Sequence, residues 1–437
     1  MPTTKTPKSL TIRTYGVGFG DCFLLTFTYD ANDSRHILID FGSVSQQQGA
    51  GAARMTDIAN DVKKVTGGKL TAIVATHRHA DHISGFKPAA GGKGSGDIIR
   101  GLKPDVVVQP WTEQPDLAQD AKGLLAQQDL GNRPASHVAM LGLMQSFSAS
   151  MLNELPTLAK SANANVIQHL GFIGEDNIHG VEAVKNLMAM GNAGKAVYLS
   201  EGKSSGLESS LPGVKIYILG PPTIKQSQSI LREAPKEPGN YWKLQAAAVN
   251  FAGERRINGR PLFPAAKHIQ GKTFPIATRW FIRHARRQRA DQLVALVTIM
   301  NDALNNTSVI LLFEIGNKRF LFPGDAQVEN WSWALSKPDY KALLKSVNLY
   351  KVGHHGSRNA TPPELWQLFT NRSTDTKNKQ RLTTLLSTKP GVYGKPKNAA
   401  EVPRGPLLAA LQKETNLHAS DDMPAKQLCD VLEIPLS

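Results

Sequence analysis

Apolar runs divided by short polar turns open the chain. LTIRTYG (Leu10 to Gly16) and CFLLTFTY (Cys22 to Tyr29) read as β-strands split by the glycine turn VGFGD. A third, HILIDFG (His36 to Gly42), follows the polar turn DANDS. A helical stretch from Met55 to Val65 leads into the apolar strand LTAIVAT (Leu70 to Thr76), and DVVVQPW (Asp105 to Trp111) reads as another strand. From about Asp116 to Asn192 apolar residues recur at three- and four-residue spacing, which predicts mainly helix. Strand character returns at AVYLS and at VKIYILGPP (Val214 to Pro222).

Residues from about Ile224 to Gln292 form an insertion rich in arginine, lysine and proline. After it, SVILLFEIG and KRFLFPGD predict a hairpin turning at Gly316-Asn317, and NLYKVGHHGS is a strand that runs into a histidine pair. Beyond the polar segment Thr370 to Gln380, TTLLST reads as the last strand. The loop PGVYGKPKN, the helix GPLLAALQKE and a short tail follow. Strands and helices alternate in both halves, as in an α/β, αββα sandwich with helices outside two packed sheets. We read residues 1–437 as a single domain with a helical insertion near 112–192 and a basic one near 224–292.

Composition narrows this picture little. Hydrophobic residues make up 41% and charged residues 20%, so the chain is expected to fold rather than stay disordered. No run approaches the roughly 20 apolar residues of a membrane helix, and the N-terminus has no apolar leader core. Cys22 and Cys429 are too few for a disulfide framework, which points to a reducing, cytoplasmic setting and to two core residues. The balance of 51 Lys+Arg against 36 Asp+Glu, a net +15, changes the picture more, because it favours polyanionic partners. Ten of those cations lie between Arg255 and Arg289 with no acidic residue among them. Arg279, Arg283, Arg286, Arg287 and Arg289 surround Trp280 and Phe281, a combination that suits nucleic acid. The same segment could instead be a solvated basic helix, an interface for an acidic protein partner, or an amphipathic helix on an anionic membrane.

The strongest chemical signal is THRHADH, which carries His77, His79, Asp81 and His82 at the end of an apolar strand. Imidazole and carboxylate ligands so closely spaced suit zinc, manganese or iron better than calcium or magnesium. The motif resembles the signature of the metallo-β-lactamase superfamily. VGFGDCFLL, ILIDFGS, THRHADHISGF, NNTSVILLFEIGNKRFLFPGDA and KVGHHGS resemble, in order and style, its ComEC-type branch, which includes the hydrolase domain of the bacterial DNA-uptake protein. The resemblance covers roughly residues 9–110 and 195–415.

It implies a hydrolase with two divalent ions, zinc or manganese. His77, His79, Asp81 and His82 would be ligands, Asp325 of FPGDA would bridge the ions, and one histidine of KVGHHGS would complete the second site. We favour His354 as that ligand, since it lies nearer the strand end, and expect His355 to orient a ligand or touch substrate. Asp40 would accept a hydrogen bond from a ligating histidine. Asp21 would do likewise, or else cap turn amides. Asp81 could also steer the proton of the attacking water.

Two departures stand out. His137, His169 and His179 lie where many members carry a further histidine for the first ion, but none has a recognisable context, so water could complete that site. In VYGKPKN, Lys395 stands where the branch commonly has histidine; a lysine can contact a phosphate but shuttles protons poorly at neutral pH. The leading expectation is a phosphodiesterase or nuclease acting on DNA or RNA through a water activated by two ions. A small-molecule hydrolase, for a cyclic nucleotide, a phosphocholine-like ester or a lactone, is the alternative; the oligomeric state is left open.

Overall fold

The computed structural model describes residues 5–46, 49–51, 53–115, 124, 180–223, 225–227, 305–392 and 401–436. Thirteen strands run through them in two sheets. The first sheet begins with β1 (Ser9–Tyr15), β2 (Cys22–Asp30) and β3 (Asp33–Phe41) and continues with β4 (Ala72–Val74), β5 (Val106–Pro110) and β6 (Lys195–Leu199). The second holds β7 (Lys215–Gly220), β8 (Ile310–Ile315), β9 (Lys318–Phe322), β10 (Leu349–Lys351), β11 (Thr383–Leu386) and β12 (Asn416–Ala419). The last strand, β13 (Cys429–Pro435), returns to the first sheet and pairs antiparallel with β1.

Side-chain alternation explains the layering. In β1, Leu10 and Ile12 are buried while Thr11 and Arg13 are only partly covered, the pattern of a strand with one face on the core. In β8 every residue is buried, because both faces of that strand are covered. Leu10, Phe23, Phe27, Ile37 and Val74 of the first sheet meet Leu311, Phe313, Phe322 and Leu349 of the second in one core. The outer face of the second sheet buries Ile310, Leu312 and Tyr350 against Trp331, Leu344, Leu365 and Leu411, which come from helices at Val328–Leu335, Pro338–Lys345, Pro363–Leu368 and Gly405–Glu414. Helix Arg54–Val65 turns Ile58, Ala59 and Val62 inward, and helical residues 180–193 bury Val184, Leu187 and Met190. The architecture is an αββα sandwich.

The expectation that TTLLST is the last strand is corrected: two further strands follow it in what reads as a tail. β12 is short and β13 alternates weakly, but each completes a sheet edge, so tertiary pairing rather than local pattern makes them strands. Of the helical insertion, the described residues form an α-helix only at 180–193, and of the basic insertion only residues 225–227 are among the described ones. No helix among the described residues is long and apolar enough to cross a membrane.

Strand direction gathers the polar residues. β3 and β4 are parallel, as are β9, β10 and β11, so their C-terminal ends collect at one rim with the start of β2. Backbones there approach very closely. A Cβ on Gly42 would lie 2.4 Å from the Asp81 carbonyl carbon, and the Asp21 amide donates to the Asp81 carbonyl at 2.9 Å. Gly42→Ala is therefore expected to displace the Asp81 main chain and to lower stability by about 1–3 kcal/mol in denaturant unfolding. Gly91→Ala, whose Cβ would meet nothing within 4 Å, is the control and should leave stability unchanged.

Candidate metal centre

The chain leaves β4 through Thr76 and His77, and a short helix, Ala80–Ile83, follows at once. Alternation turns His77 and His79 one way while Arg78 points toward Glu113, with 3.8 Å between guanidinium and carboxylate. His77 Nε2 lies 3.0 Å from His79 Nδ1. The helical turn then carries Asp81 and His82 beside them, and all four side chains are buried.

From the second sheet, β9 ends in Pro323-Gly324-Asp325 and β10 runs into Gly353-His354-His355. The Asp325 amide donates to the Ser308 hydroxyl at 3.2 Å, which fixes the start of that loop against β8. Ligand atoms fall into two groups whose members lie within 4.8 Å of one another: His77, His79 and Asp81, and Asp81, His82, Asp325 and His355. Asp81 is the residue common to both. A third group, Asp21, Asp40 and His82, lies behind them.

Asp40 holds its neighbours with a backbone in the left-handed region, φ 54°. Its Oδ1 accepts the Thr76 amide at 2.7 Å, and its Oδ2 accepts the Thr76 hydroxyl and His82 Nδ1, each at 2.8 Å. His82 is thereby oriented with Nε2 toward the cluster, 3.1 Å from Asp325 Oδ2. Asp21 does not cap turn amides with its side chain. It forms an ion pair with Lys351, and its oxygens lie 3.6 Å from His82 Nδ1 and 3.7 Å from His355 Nδ1.

The histidine pair departs from the expectation. His355, not His354, joins the second ligand group. His355 is fully buried, donates from Nδ1 to the Ser387 carbonyl at 2.9 Å, and places Nε2 2.9 Å from Asp81 Oδ2 and 3.6 Å from Asp325 Oδ2. His354 stands at the more open edge, its side chain 23% exposed, with Nε2 3.9 Å from Asp325 Oδ2. The reason is backbone: both residues take positive φ, 44° and 52°, so simple outward progression from the strand end does not hold. Phe19 of the VGFGD turn packs on the His355 ring at 4.3 Å between centroids.

Lys395, the five arginines Arg279, Arg283, Arg286, Arg287 and Arg289, and His137, His169 and His179 lie outside the described residues. Ser308, Ser387, Phe19 and Lys351 support the cluster without having been singled out from sequence. Lys351 alone left a signal, a charged residue inside the apolar run LYKV.

Several buried atoms here have no hydrogen-bond partner: His79 Nε2, His82 Nε2, Asp81 Oδ1, Asp325 Oδ2 and His354 Nδ1. Buried polar atoms are rarely orphaned, and so many converging nitrogens and carboxylate oxygens match the donor set of a transition-metal site. The residues present fit divalent ions.

Residues 15–91 match the family model of the metallo-beta-lactamase superfamily. None of the curated proteins matches the chain. The matched segment runs from the end of β1 through THRHADH, and members of that superfamily are hydrolases that typically bind divalent metals. Together with the buried His/Asp cluster it points to a metal-dependent hydrolase.

Electrostatics divides the imidazoles into two kinds. Burial depresses His77 well below its ordinary value and His79 to about 4, so both are neutral lone-pair donors near pH 7. Burial also opposes charge on His82 and His355. The carboxylates prevail, however: Asp325, Asp81, Asp40 and Asp21 raise His82 far above its usual range, and Asp325, the Asp81 hydrogen bond and Asp21 raise His355. Asp81 and Asp325 are held low despite burial, by His82 first in each case. A metal ion taken up through His82 and His355 would displace whatever protons they carry, so affinity is expected to rise with pH through their raised pKa values. Calorimetric titration in buffers of different ionisation enthalpy should show proton release on metal uptake. Uptake with no proton release would mean that both imidazoles are neutral beforehand.

Proposed function

We propose that this chain is a hydrolase carrying two divalent ions, zinc or manganese, that cleaves phosphodiester bonds in DNA or RNA. The observation that carries the metal part is the convergence of orphaned ligand atoms in the buried cluster. In this reading His77, His79 and Asp81 hold one ion, and Asp81, His82, Asp325 and His355 hold the other. Asp81 is common to both sets; Asp325, whose Oδ2 has His82, His355 and His354 nitrogens at 3.1, 3.6 and 3.9 Å, is the carboxylate we expect to reach the first ion as well and so to bridge. When bound, the ions make hydroxide available near neutral pH and take up charge on the substrate oxygen. Asp81 orients the proton of the attacking water, and His354, at the open edge, faces substrate.

The substrate class rests on charge. A net +15 and ten Lys/Arg between Arg255 and Arg289 favour a polyanion, and the motif order resembles the ComEC-type branch. Lys395 is suited to a phosphate contact as a point charge.

Two experiments test this reading. His355→Ala should lose the second ion, whereas His354→Ala should keep both ions and slow turnover by roughly 10²-fold or more. Elemental analysis and anomalous scattering decide it; loss of metal only from the His354 variant reverses the assignment. Charge reversal at Arg283, Arg286 and Arg287 should weaken nucleic-acid binding and lower the salt slope by about three, sparing hydrolysis of a chromogenic diester. Unchanged nucleic-acid affinity would point to a small-molecule ester instead.

A further inference from the structure

Lys351 is the one lysine among the described residues that is fully buried, 1% exposed in the middle of the second sheet. Its ammonium meets three acceptors: the Asp21 carboxylate, the Gly324 carbonyl at 3.1 Å and Asp325 Oδ1 at 3.3 Å. An ammonium has three N–H donors, so all are committed and the group has no reason to turn elsewhere. Oδ1 of Asp325 also accepts the His354 amide at 3.1 Å, while Oδ2 has no hydrogen-bond partner and faces the imidazoles.

We propose that Lys351 is a positioning residue for the metal centre: anchored by Asp21, it occupies Oδ1 of Asp325 so that Oδ2 alone is turned to the ions. The inference rests on the two-ion reading above. A carboxylate with both oxygens free can ligate through either or both, and the distance between its ions then varies. Fixing one oxygen removes that choice. Charge adds a second consequence. Asp21, Asp40, Asp81 and Asp325 are all buried around the site, and two divalent ions would match those four carboxylates. The lysine is then a surplus positive charge next to the centre, and it favours an anion there, either hydroxide or a phosphate oxygen.

Replacing Lys351 alone would leave Asp21 buried and unpaired, which is costly in itself. The informative variant is therefore the double substitution Asp21→Asn with Lys351→Met, which removes both members of the pair. Its fold is checked by circular dichroism, and its manganese content and affinity are compared with wild type. The expected result is a folded chain that binds at least one of its ions roughly 10- to 100-fold more weakly. Because the double substitution removes one positive and one negative charge together, the pH profile of chromogenic diester hydrolysis should keep its position while metal affinity falls. In parallel, a crystal structure of manganese-loaded wild type should show Asp325 ligating through Oδ2 with Oδ1 still on Lys351. That structure decides the matter alone if the variant does not fold. Both oxygens of Asp325 on ions with Lys351 withdrawn, or wild-type affinity for both ions in the folded variant, overturns the proposal. A wild-type chain that takes up fewer than two ions after reconstitution overturns the two-ion reading instead.

Discussion

Four carboxylates buried at the rim between two sheets need positive charge beside them, and the local structure follows from that requirement. Asp21, Asp40, Asp81 and Asp325 are each less than a tenth exposed. An isolated carboxylate in such surroundings is strongly destabilising unless it is paired and hydrogen-bonded. Lys351 meets Asp21 and Asp325, and His82 stands against Asp40 on one side and Asp325 on the other. The left-handed backbone at Asp40, His354 and His355 is strain of the order of 1–3 kcal/mol per residue, tolerated because hydrogen bonds hold each of them in place. Asp40 illustrates this well, since three donors fix its carboxylate.

Sequence revealed the parts of this arrangement that are local. THRHADH puts three imidazoles and a carboxylate within six residues, so their proximity is a consequence of chain connectivity. β1 to β5 were visible for the same reason, as apolar runs bounded by turn residues. What depends on distant partners was harder to read. β13 is strand because β1 is there to pair with it, and neither its composition nor its alternation announces that. Which of His354 and His355 turns into the cluster depends on backbone conformation. Reasoning from a rigid strand end favours the first histidine, but consecutive residues in the left-handed region rotate the second one inward, where the Ser387 carbonyl holds it. Ser387 comes from β11's end and lies 32 positions away in sequence, so no local pattern marks it.

The buried lysine shows how a charge can be legible as an oddity before it is legible as a function. In LYKV the flanking residues promise a strand covered on both faces, where an ammonium is out of place unless something anionic awaits it. Asp21 and Asp325 supply that, from the far ends of the motif set. Such a contact can be found only once the two sheets are brought together. The turns VGFGD and FPGDA, read separately as glycine turns with an aspartate, are here two halves of one ion-paired floor beneath the cluster.

The same electrostatic demand links the protein without ions to the protein that holds them. Below their raised pKa values, protonated His82 and His355 supply positive charge beside the carboxylates. The raised pKa of each histidine is a stabilising contribution that is complete below its ordinary value, near 6.5, and is lost as pH rises through the raised value. Above that point the carboxylates lose their counter-charge, and a divalent ion becomes the remaining way to restore it. Proton and metal are thus alternative occupants of one electrostatic role. His77 and His79 take no part in the exchange, since burial keeps them neutral and ready to ligate. The second ligand group can thus be neutralised by protons or by metal, whereas the first offers neutral imidazoles and has no such alternative.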